Sequence, residues 1–513
     1  MKKEIEKTSF FSRDNLSKKI IILIPALIIF VIIFAFFSQF QFSARNPYFS
    51  GEDAFYHVGM AKYIMAHGIA QKFPYLYFTV LNEQFVDHHF LFHLFLIPFI
   101  SAFGDVPGAK LYIISVVAAN FALLYLIFRE LKLKFALIYP IILFFLMPSD
   151  FYFRMSFIRA ESTSLFFMLL LYFLIIKGKP WAVGILAFLY VWLYNAFPFI
   201  FVLLFAYFIV QLFSGKKVDY KILLFGILGT AAGLVINPYF PKNIGFFFVQ
   251  TFETGLGAKP YVGGEWRPYD TWFWFSISMV PIIFFFGGIA ISFLKNLKQN
   301  SKTLILFVLS LFLIFLQWKS KRFVEYWPFF GAVTGLAFCG NYLEEKMLKF
   351  KDNLKELEGW FIAIVLIVLI PISLSYGKTQ FNRGLKDSST TWQVDSARQA
   401  HNYLKSHSDD GDIVFTDDWD VFPVYFYLNQ KNYYIVGLDP EYMNQYDSRL
   451  YQEYADISSG RDSFRLDHIK KDFKSTWVLV ANDHQKFKNN LEQQPDLFEK
   501  VFDNGNYYLF KVL

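Results

Sequence analysis

The side chains of this chain that could do chemistry are charged residues at the ends of long apolar segments. Asp53 follows the first apolar segment, beside Glu52 and at the start of an amphipathic stretch over residues 55–66. A carboxylate held near a membrane surface can act as a base or bind a cation. Glu52 and Asp53 are equally suited to capping the helix that follows, and the two roles are compatible.

A second charged cluster lies over residues 150–161, where the third apolar segment ends and the fourth begins. Glu161 opens the fourth segment, and a carboxylate buried there requires a partner or a cation. Arg154 and Arg159 could hold an anionic substrate, or they could pair with Asp150 and Glu161. The cluster therefore predicts ion binding, with the sign of the ion left open.

A third cluster, residues 318–328 between the ninth and tenth apolar segments, is strongly basic and includes Lys321 and Arg322. A bound phosphate or pyrophosphate would explain it, because Arg offers a bidentate fork to phosphate oxygens. Binding of lipid headgroups, or snorkelling of the long side chains towards the interface, is the alternative interpretation. We favour specific phosphate binding over both.

A fourth candidate is the Gly- and Pro-rich segment 251–268, which carries Glu253 and Glu265. This composition is typical of a mobile loop that closes over a substrate. It is equally typical of an ordinary exposed loop, and the local sequence does not separate the two.

Histidines are concentrated in one loop, where His57, His88, His89 and His93 accompany Asp87. Such residues can form a structural or catalytic zinc site. Histidines at a membrane interface are more often polar surface residues, so a zinc site is the less favoured interpretation.

These clusters must be positioned by membrane-spanning helices. The 513 residues are 55% hydrophobic, 21% aromatic and 18% charged, with a mean hydropathy of +0.36, which excludes a single soluble globular domain. A bilayer core about 30 Å thick requires roughly 20 apolar helical residues. Eleven stretches meet or nearly meet that length, at residues 20–38, 109–128, 134–148, 161–177, 181–197, 198–214, 221–238, 271–294, 302–318, 324–343 and 359–376.

A further apolar stretch, residues 88–104, is predicted to be an amphipathic or re-entrant helix on the outer face. With that assignment, the short basic loops all lie on the side of the N-terminus, as the positive-inside rule requires. The chain is then a multi-pass protein of the cell membrane with a cytoplasmic N-terminus and long outer loops at residues 39–108 and 239–270. The net charge of +7 reflects this basic inner face, so nucleic acid is not an expected partner.

From about residue 377 the pattern changes to short β-branched and aromatic clusters separated by helical patterns. This alternation predicts a small α/β domain, with a hairpin around Asp503-Asn504-Gly505-Asn506. We therefore divide the chain into a transmembrane domain, residues 1–376, and an acidic extracytoplasmic soluble domain, residues 377–513. The basic cluster at residues 318–328 then lies on the outer face, against the positive-inside bias, which favours its role in phosphate binding.

Taken in order, these features resemble the GT-C superfamily of membrane glycosyltransferases, and within it the catalytic subunit of oligosaccharyltransferase. Residues 53–57, Asp-Ala-Phe-Tyr-His, match the aspartate that follows the first span in that family. Residues 159–161, Arg-Ala-Glu, stand where the family has Asp-x-Asp/Glu after the third span. Glu265 or Glu253 matches a glutamate that the family delivers from a flexible outer loop.

Two further motifs carry the resemblance. Residues 321–323, Lys-Arg-Phe, lie at the place of a late arginine that contacts the lipid-linked donor. Residues 416–423 echo in part the Trp-Trp-Asp-Tyr-Gly signature that reads the acceptor peptide, although the second Trp and the Tyr-Gly are missing.

The resemblance implies a polytopic α-helical membrane protein of about 11 transmembrane helices with a C-terminal soluble α/β domain. It implies an inverting enzyme that transfers a sugar or oligosaccharide from a polyprenyl-phosphate or polyprenyl-pyrophosphate donor to a protein, glycan or lipid acceptor on the extracytoplasmic face. The site residues implied are catalytic Asp53, Glu161 and Glu265, donor phosphate-binding Lys321, Arg322 and Arg159, and acceptor-binding Trp419, Asp420 and His57.

Asp53 and Glu161 would also be the ligands of a Mg²⁺ or Mn²⁺ cofactor. Arg159 replaces the first acidic residue of the family's Asp-x-Asp/Glu pair and brings a cation in its place. The rival interpretations are a transporter or flippase of lipid-linked or anionic substrates, and an inactive membrane-anchored assembly protein. Transporters commonly place polar residues near the bilayer midplane in repeated halves, whereas the polar clusters here lie at the outer helix ends.

Overall fold

The structure, a computed structural model, describes residues 13–42, 47–255, 264–349, 371, 375–386 and 394–513, with the backbone alone for 13–22 and 253–255. The predicted span over residues 359–376 lies largely outside the described residues. The side chain of Glu253 lies outside them as well.

Up to residue 349 the described chain is almost entirely helical, as its long apolar segments predict. The helices are α1 (Arg13–Gln41), α2 (Asp53–His67), α3 (Phe90–Phe103), α4 (Asp105–Glu130), α5 (Ile138–Leu146), α6 (Ser149–Met155), α7 (Ala160–Ile176), α8 (Pro180–Leu193), α9 (Phe199–Phe213), α10 (Tyr220–Val235), α11 (Lys242–Phe248), α12 (Thr271–Leu294), α13 (Ser301–Lys319) and α14 (Trp327–Leu348). A π-helical segment (Val249–Gly255) and two 3₁₀ segments (Gly264–Trp266 and Lys321–Glu325) lie between them.

Four helices of the described chain are long and apolar enough to cross a bilayer, namely α4, α12, α13 and the part of α1 from Leu23. Helices α6 and α7 pass the same test together as one span that bends by 104°. Helices α3, α8, α9 and α10 are shorter apolar helices of 14 to 16 residues. This is the architecture of a multi-pass membrane protein, while the count of eleven spans and the orientation of the termini stay predictions.

The stretch at residues 134–148 departs from a simple span. It forms only the nine-residue α5, which ends before an extended Met147. Met147 precedes Pro148, and the residue before a proline is disfavoured in the helical region. Nine residues cover roughly 13 Å at about 1.5 Å each, so α5 alone is too short to cross the bilayer.

The C-terminal part of the described chain contains a five-stranded mixed sheet. Its strands are β1 (Ile413–Thr416), β2 (Tyr433–Tyr434), β3 (Trp477–Ala481), β4 (Phe498–Asp503) and β5 (Tyr507–Val512), in the order β2-β1-β3-β5-β4. Strand β1 is parallel to β2 and β3, whereas β3, β5 and β4 pair antiparallel. The predicted hairpin is confirmed: β4 and β5 flank a turn in which Gly505 has a φ of +81°.

Helices at residues 394–407, 422–428, 441–446, 448–458, 468–471 and 485–492 accompany the sheet. Side chains alternate between the two faces of a strand. Val414 and Leu479 therefore face a large apolar core shared with the helices of the N-terminal part. Phe415 and Val478 face a second core, formed by the C-terminal part together with Phe78 of the loop that follows α2.

The loop that follows α2 connects this helix to the sheet. The backbone N–H of Tyr77 donates to the carbonyl of Tyr434 at 2.8 Å, which adds the loop to the sheet beside β2. Helix α2 packs against residues 422–428, where a Cβ on Gly59 would lie 3.0 Å from the ring of Phe426. This close contact places the segment that follows β1 near the N-terminal end of α2.

Candidate active site

The bend between α6 and α7 determines where the second charged cluster points. Arg154 lies in the last turn of α6, and Arg159 is the extended residue immediately before α7. Glu161 lies in the first turn of α7 and is buried. The 104° bend brings these three side chains to one place instead of spreading them along a straight helix.

Glu265 is the centre of an ion network at this place. Its Oε2 accepts from Nη1 of Arg154 at 2.9 Å and from Nη1 of Arg159 at 3.4 Å. Its Oε1 lies 2.6 Å from Nη2 of Arg322. Burial raises the pKa of Glu265, but attraction to the three guanidinium groups outweighs burial and holds the pKa well below its usual range.

The main chain around Glu265 is fixed against the third cluster. The hydroxyl of Ser320 donates to the carbonyl of Glu265 at 3.0 Å, and the N–H of Lys321 donates to the carbonyl of Arg267 at 3.0 Å. The guanidinium of Arg322 stacks on the ring of Trp266, 4.3 Å from its centroid. The end of the second long loop therefore packs directly on the basic cluster.

The other two predicted catalytic carboxylates reach the same network. Asp53 lies in the first turn of α2, and its Oδ2 is 2.6 Å from Nη2 of Arg159. Oε1 of Glu161 lies 3.8 Å from Nε of Arg159 and 3.9 Å from Nη2 of Arg322, and accepts from the hydroxyl of Tyr194 at 3.3 Å. Asp53, Glu161 and Glu265 thus surround one guanidinium.

The capping interpretation of the first cluster is only half right. Glu52 occupies the N-cap position of α2, but its side chain accepts no capping hydrogen bond. Asp53 lies in the first turn, where the helix dipole favours negative charge. The ion pair with Arg159 shows that the Asp53 carboxylate is also directed at the charged cluster.

Glu325 is a member of the network that the sequence interpretation missed. It is buried, and its Oε1 pairs with Nε of Arg154. Asp150, an alternative partner predicted for Arg154, instead accepts from the hydroxyl of Tyr269 at 2.6 Å. The available signal was a single carboxylate within an otherwise basic segment, because such a residue needs a nearby cation when it is buried.

The arrangement of Asp53 and Glu161 does not fit a divalent cation. Both carboxylates face Arg159, whose charge occupies the position between them. Within the described residues, the groups whose possible ligand atoms lie within 4.8 Å of one another are in the C-terminal part: Asp417, Asp483 and His484, and Glu453, His468 and Asp472. Each of these groups contains a His–carboxylate ion pair.

Two predicted donor-binding cations differ in their surroundings. Arg322 is held by Glu265, but its Nε is buried without a hydrogen-bond partner among the described residues. The ammonium of Lys321 lies 5.7 Å from the ring centroid of Tyr269 and makes no salt bridge with a described carboxylate. The ammonium of Lys321 thus remains available to an anion, whereas the unpartnered Nε of Arg322 is enclosed by protein.

The acceptor candidates are separated by the structure. Asp420 is exposed but lies near the network: partial desolvation, and then the charges of Asp418, Asp53 and Glu265, raise its pKa to about 6. The half-buried Trp419 packs on the second core instead. The segment after β1 therefore presents carboxylates, and not an indole ring, to the start of α2.

Glu52 shares this acidic environment. Burial, followed by the charges of Asp420, Asp53 and Asp418, raises the pKa of Glu52 to about 8. We refer to Glu52, Asp418 and Asp420 as the acidic cluster, and to Arg154, Arg159 and Arg322 as the arginine cluster. Neither Glu52 nor Asp418 was a predicted site residue, because their proximity depends on how the C-terminal part packs on α2.

His57 is buried in a chain of hydrogen bonds. Its Nδ1 lies 2.8 Å from Nε2 of His93, and Nδ1 of His93 lies 2.7 Å from Oδ2 of Asp87. The carboxylate fixes the proton of His93 on Nδ1, so His93 accepts from His57. The ligand atoms of these side chains do not converge in the way that a zinc site requires.

A helical apolar part with charged residues at its helix ends is joined to an α/β C-terminal part, as the resemblance to the GT-C superfamily implies. The apo oligosaccharyltransferase of Archaeoglobus fulgidus is similar to this chain with a TM-score of 0.65 and 11% identity, over 89% of this chain and 70% of that chain. The Archaeoglobus fulgidus AglB in complex with an inhibitory peptide and a dolichol-phosphate gives 0.63 and 13%, over 94% and 74%.

The ArnT of Cupriavidus metallidurans bound to undecaprenyl phosphate is also similar, with a TM-score of 0.54 and 12% identity over 96% of this chain and 98% of that chain. No protein-family model and no curated protein matches the sequence. The structural likenesses show that the chain has an oligosaccharyltransferase-like GT-C fold, as the sequence motifs predicted.

Proposed function

We propose that this chain is a membrane glycosyltransferase that transfers a sugar or oligosaccharide from a polyprenyl-phosphate or polyprenyl-pyrophosphate donor to an acceptor on the extracytoplasmic face. The observation that carries the proposal is the meeting of Asp53, Glu161, Glu265 and Arg322 in one ion network within a GT-C fold. Solved structures of the same fold are bound to dolichol-phosphate and undecaprenyl phosphate, which supports a polyprenyl-linked donor.

The donor phosphate would bind beside the arginine cluster. Lys321 is not engaged by a described carboxylate, and the neighbouring guanidinium of Arg322, held by Glu265, adds positive charge at the same place. Preorganised cations that face a departing phosphate stabilise the charge that develops on it in the transition state. Lys321 and Arg322 therefore bind the donor. Arg159 instead pairs with the carboxylates of Asp53, Glu161 and Glu265.

The acceptor would approach from the acidic cluster. An oxygen or nitrogen of the acceptor attacks the anomeric carbon, and the bond from that carbon to the phosphate oxygen breaks. The phosphate leaves with the bonding electron pair, and the acceptor proton passes to Asp53. A single displacement of this kind inverts the anomeric centre.

The two other acceptor candidates have different roles in this proposal. Asp420 contacts the acceptor, because its carboxyl group is near Asp53. His57 positions the start of α2 from within its bonded chain to His93, and Trp419 anchors the segment that carries Asp420.

The proposal is tested with the purified chain in detergent and a labelled polyprenyl-linked sugar. We expect the label to be transferred or hydrolysed, and Asp53→Asn to reduce this rate by about 1,000-fold, the order of a general base. Asp105→Asn is a matched control, because Asp105 also lies at a helix start but pairs with Lys62 at 2.7 Å. A donor left chemically intact by the wild-type chain would favour a transporter or an inactive scaffold and contradict the proposal.

A further inference from the structure

We propose that the guanidinium of Arg159 takes the place of a catalytic divalent cation, so that transfer by this chain requires no metal ion. The inference rests on the proposed function and names the group that organises its carboxylates. The resemblance to oligosaccharyltransferase implies a cation held by Asp53 and an Asp-x-Asp/Glu motif, but the first residue of that motif is Arg159 in this chain.

The geometry around Arg159 is that of a central cation. Nη2 lies 2.6 Å from Oδ2 of Asp53, Nη1 lies 3.4 Å from Oε2 of Glu265, and Nε lies 3.8 Å from Oε1 of Glu161. Each of the three nitrogens thus faces a different carboxylate. The three carboxylates come from three separate elements, namely α2, the second long loop and α7, so one side chain joins the elements that a bound metal ion would otherwise join.

The surroundings oppose the binding of a second cation. Nη2 of Arg322 is 2.6 Å from Oε1 of Glu265 and 3.9 Å from Oε1 of Glu161, and Nη1 of Arg154 is 2.9 Å from Oε2 of Glu265. Two of the three carboxylates are therefore already shared between two or three guanidinium groups. A divalent ion placed among them would be repelled by every member of the arginine cluster.

A guanidinium can supply what this site needs from a cation. It stays charged at all physiological pH values, and its planar fork fixes the orientation of the carboxylates it contacts. Its single charge is weaker than that of a divalent ion, but Arg154 and Arg322 add positive charge within the same network. Arg159 is therefore a positioning residue that pairs with Asp53 and directs its carboxylate, whereas Lys321 and Arg322 face the phosphate.

The first experiment measures transfer from the labelled donor in excess EDTA and after addition of Mn²⁺ or Mg²⁺. We expect the rate in each condition to stay within about twofold of the rate without additions, because the cation that bridges the carboxylates is the Arg159 side chain and cannot be removed by EDTA. A loss of activity in EDTA that Mn²⁺ restores would overturn the inference and leave the proposed function intact. Arg159→Lys keeps the charge but offers one nitrogen in place of three, so we expect it to lower kcat by about 100-fold.

The second experiment measures Mn²⁺ binding by electron paramagnetic resonance and does not depend on activity. Arg159→Asp recreates an Asp-x-Glu motif, and we expect this variant to bind one Mn²⁺ more than the wild-type chain. That additional ion should be lost again in the double variant with Asp53→Asn. Counting only the Mn²⁺ that Arg159→Asp binds in excess of the wild-type chain removes the contribution of any Mn²⁺ held by His and carboxylate groups of the C-terminal part. The inference is wrong if the wild-type chain itself holds an Mn²⁺ that Asp53→Asn releases.

Discussion

Two groups of carboxylates on either side of Asp53 have opposite electrostatic environments. Glu265 is shared by three guanidinium groups, and its pKa is held well below the usual range despite burial. Glu52 is also withdrawn from water, but its charged neighbours are mainly carboxylates, and its pKa is raised to about 8. The same type of side chain is therefore firmly ionised on one side and partly protonated on the other at neutral pH.

Asp53 lies at the boundary between these two sides. It pairs with Arg159 of the arginine cluster, and its charge also raises the pKa of Glu52 and Asp420 in the acidic cluster. Displacement at a sugar carbon requires positive charge near the departing phosphate and a proton acceptor near the nucleophile. Under the proposed function, the donor would therefore bind at the arginine cluster and the acceptor at the acidic cluster.

A large loss of activity is expected from neutralising Glu265, the carboxylate that the arginine cluster shares. We expect Glu265→Gln to lower kcat by about 100-fold, because three guanidinium groups lose their common partner and their geometry. The same change removes a negative charge that competes with the donor phosphate, so the donor KM should fall. Initial rates over a range of donor concentrations separate the two effects.

Glu441→Gln is the control, because Glu441 is a carboxylate of the C-terminal part at the start of helix 441–446. An equal loss of kcat in this variant would show that loss of a negative charge is damaging in general. An unchanged or increased donor KM in Glu265→Gln would contradict the assignment of phosphate to the arginine side. Circular dichroism of both variants checks that the helical fold is retained.

The meeting of Asp53, Glu161, Glu265 and Arg322 could be predicted, because the order of charged clusters along the chain resembles a known family. The individual ion pairs could not. Arg154 of α6 meets Arg159 and Glu161 at the start of α7 because the two helices bend by 104°, and hydrophobic periodicity carries no information about that angle. Pairing between distant segments is a property of the tertiary fold.

The same limit explains two other differences. Residues 134–148 are apolar enough to predict a span, but residues 134–137 form turns before α5 begins, and α5 ends two residues before Pro148. Trp419 lies in a segment that resembles an acceptor motif, yet its ring packs on the second core. The paired strands β4 and β5 were predictable because their turn signal is local.

A smaller effect is expected from Lys321, the cation of the third cluster that no described carboxylate engages. Lys321→Ala should raise the donor KM by about tenfold, which corresponds to roughly 1.4 kcal/mol for one lost contact with phosphate. The kcat and the acceptor KM should change little, because Lys321 takes no part in the ion network. Lys62→Ala is a matched control, since Lys62 is a lysine of α2 that pairs with Asp105.

If Lys321→Ala raised the acceptor KM instead, the separation of the two substrates between the two sides would be wrong. If neither KM changed, the donor phosphate would not lie beside Lys321. Measuring both constants in one series of initial rates distinguishes these outcomes.

The acidic side can be examined through the pH dependence of activity. Glu52 has a pKa of about 8, so it gains its charge as the pH rises through 8 and then adds negative charge beside Asp53, the proposed proton acceptor. Glutamine mimics the protonated carboxyl group. Glu52→Gln should therefore match the wild-type rate at pH 6 and fall about threefold below it at pH 9, a small part of the total effect of a general base.

Stability gives an independent measurement of the same group. A raised pKa means that the folded chain binds the proton more tightly than the unfolded chain, whose Glu52 titrates near 4.5. Glu52 therefore lowers the stability of the wild-type chain progressively as the pH rises from 4.5 through 8. Thermal unfolding should show that Glu52→Gln is more stable than the wild-type chain at pH 9. If the variant and the wild-type chain were equally stable at both pH 6 and pH 9, the pKa of Glu52 would not be perturbed.

The smallest expected effect concerns the support of the acidic cluster. Nδ1 of His484, after β3, lies 3.1 Å from Oδ2 of the buried Asp417, after β1. This hydrogen bond, opposed by burial and assisted by the charge of Asp417, raises the pKa of His484 to about 9. The pair ties the segment that carries Asp418 and Asp420 to the neighbouring strand of the sheet.

The sign of the pH effect follows from the raised pKa of His484. Its contribution to stability is fully present below the unfolded value of 6.5 and is lost as the pH rises through about 9. His484→Asn should lower stability at pH 6 by about 1 kcal/mol, since the partly exposed His484 is screened by solvent. The difference should vanish near pH 10, where the wild-type imidazole is neutral. A difference that persisted at pH 10 would show that His484 acts through packing, and the acidic cluster would then be held in place without this charge.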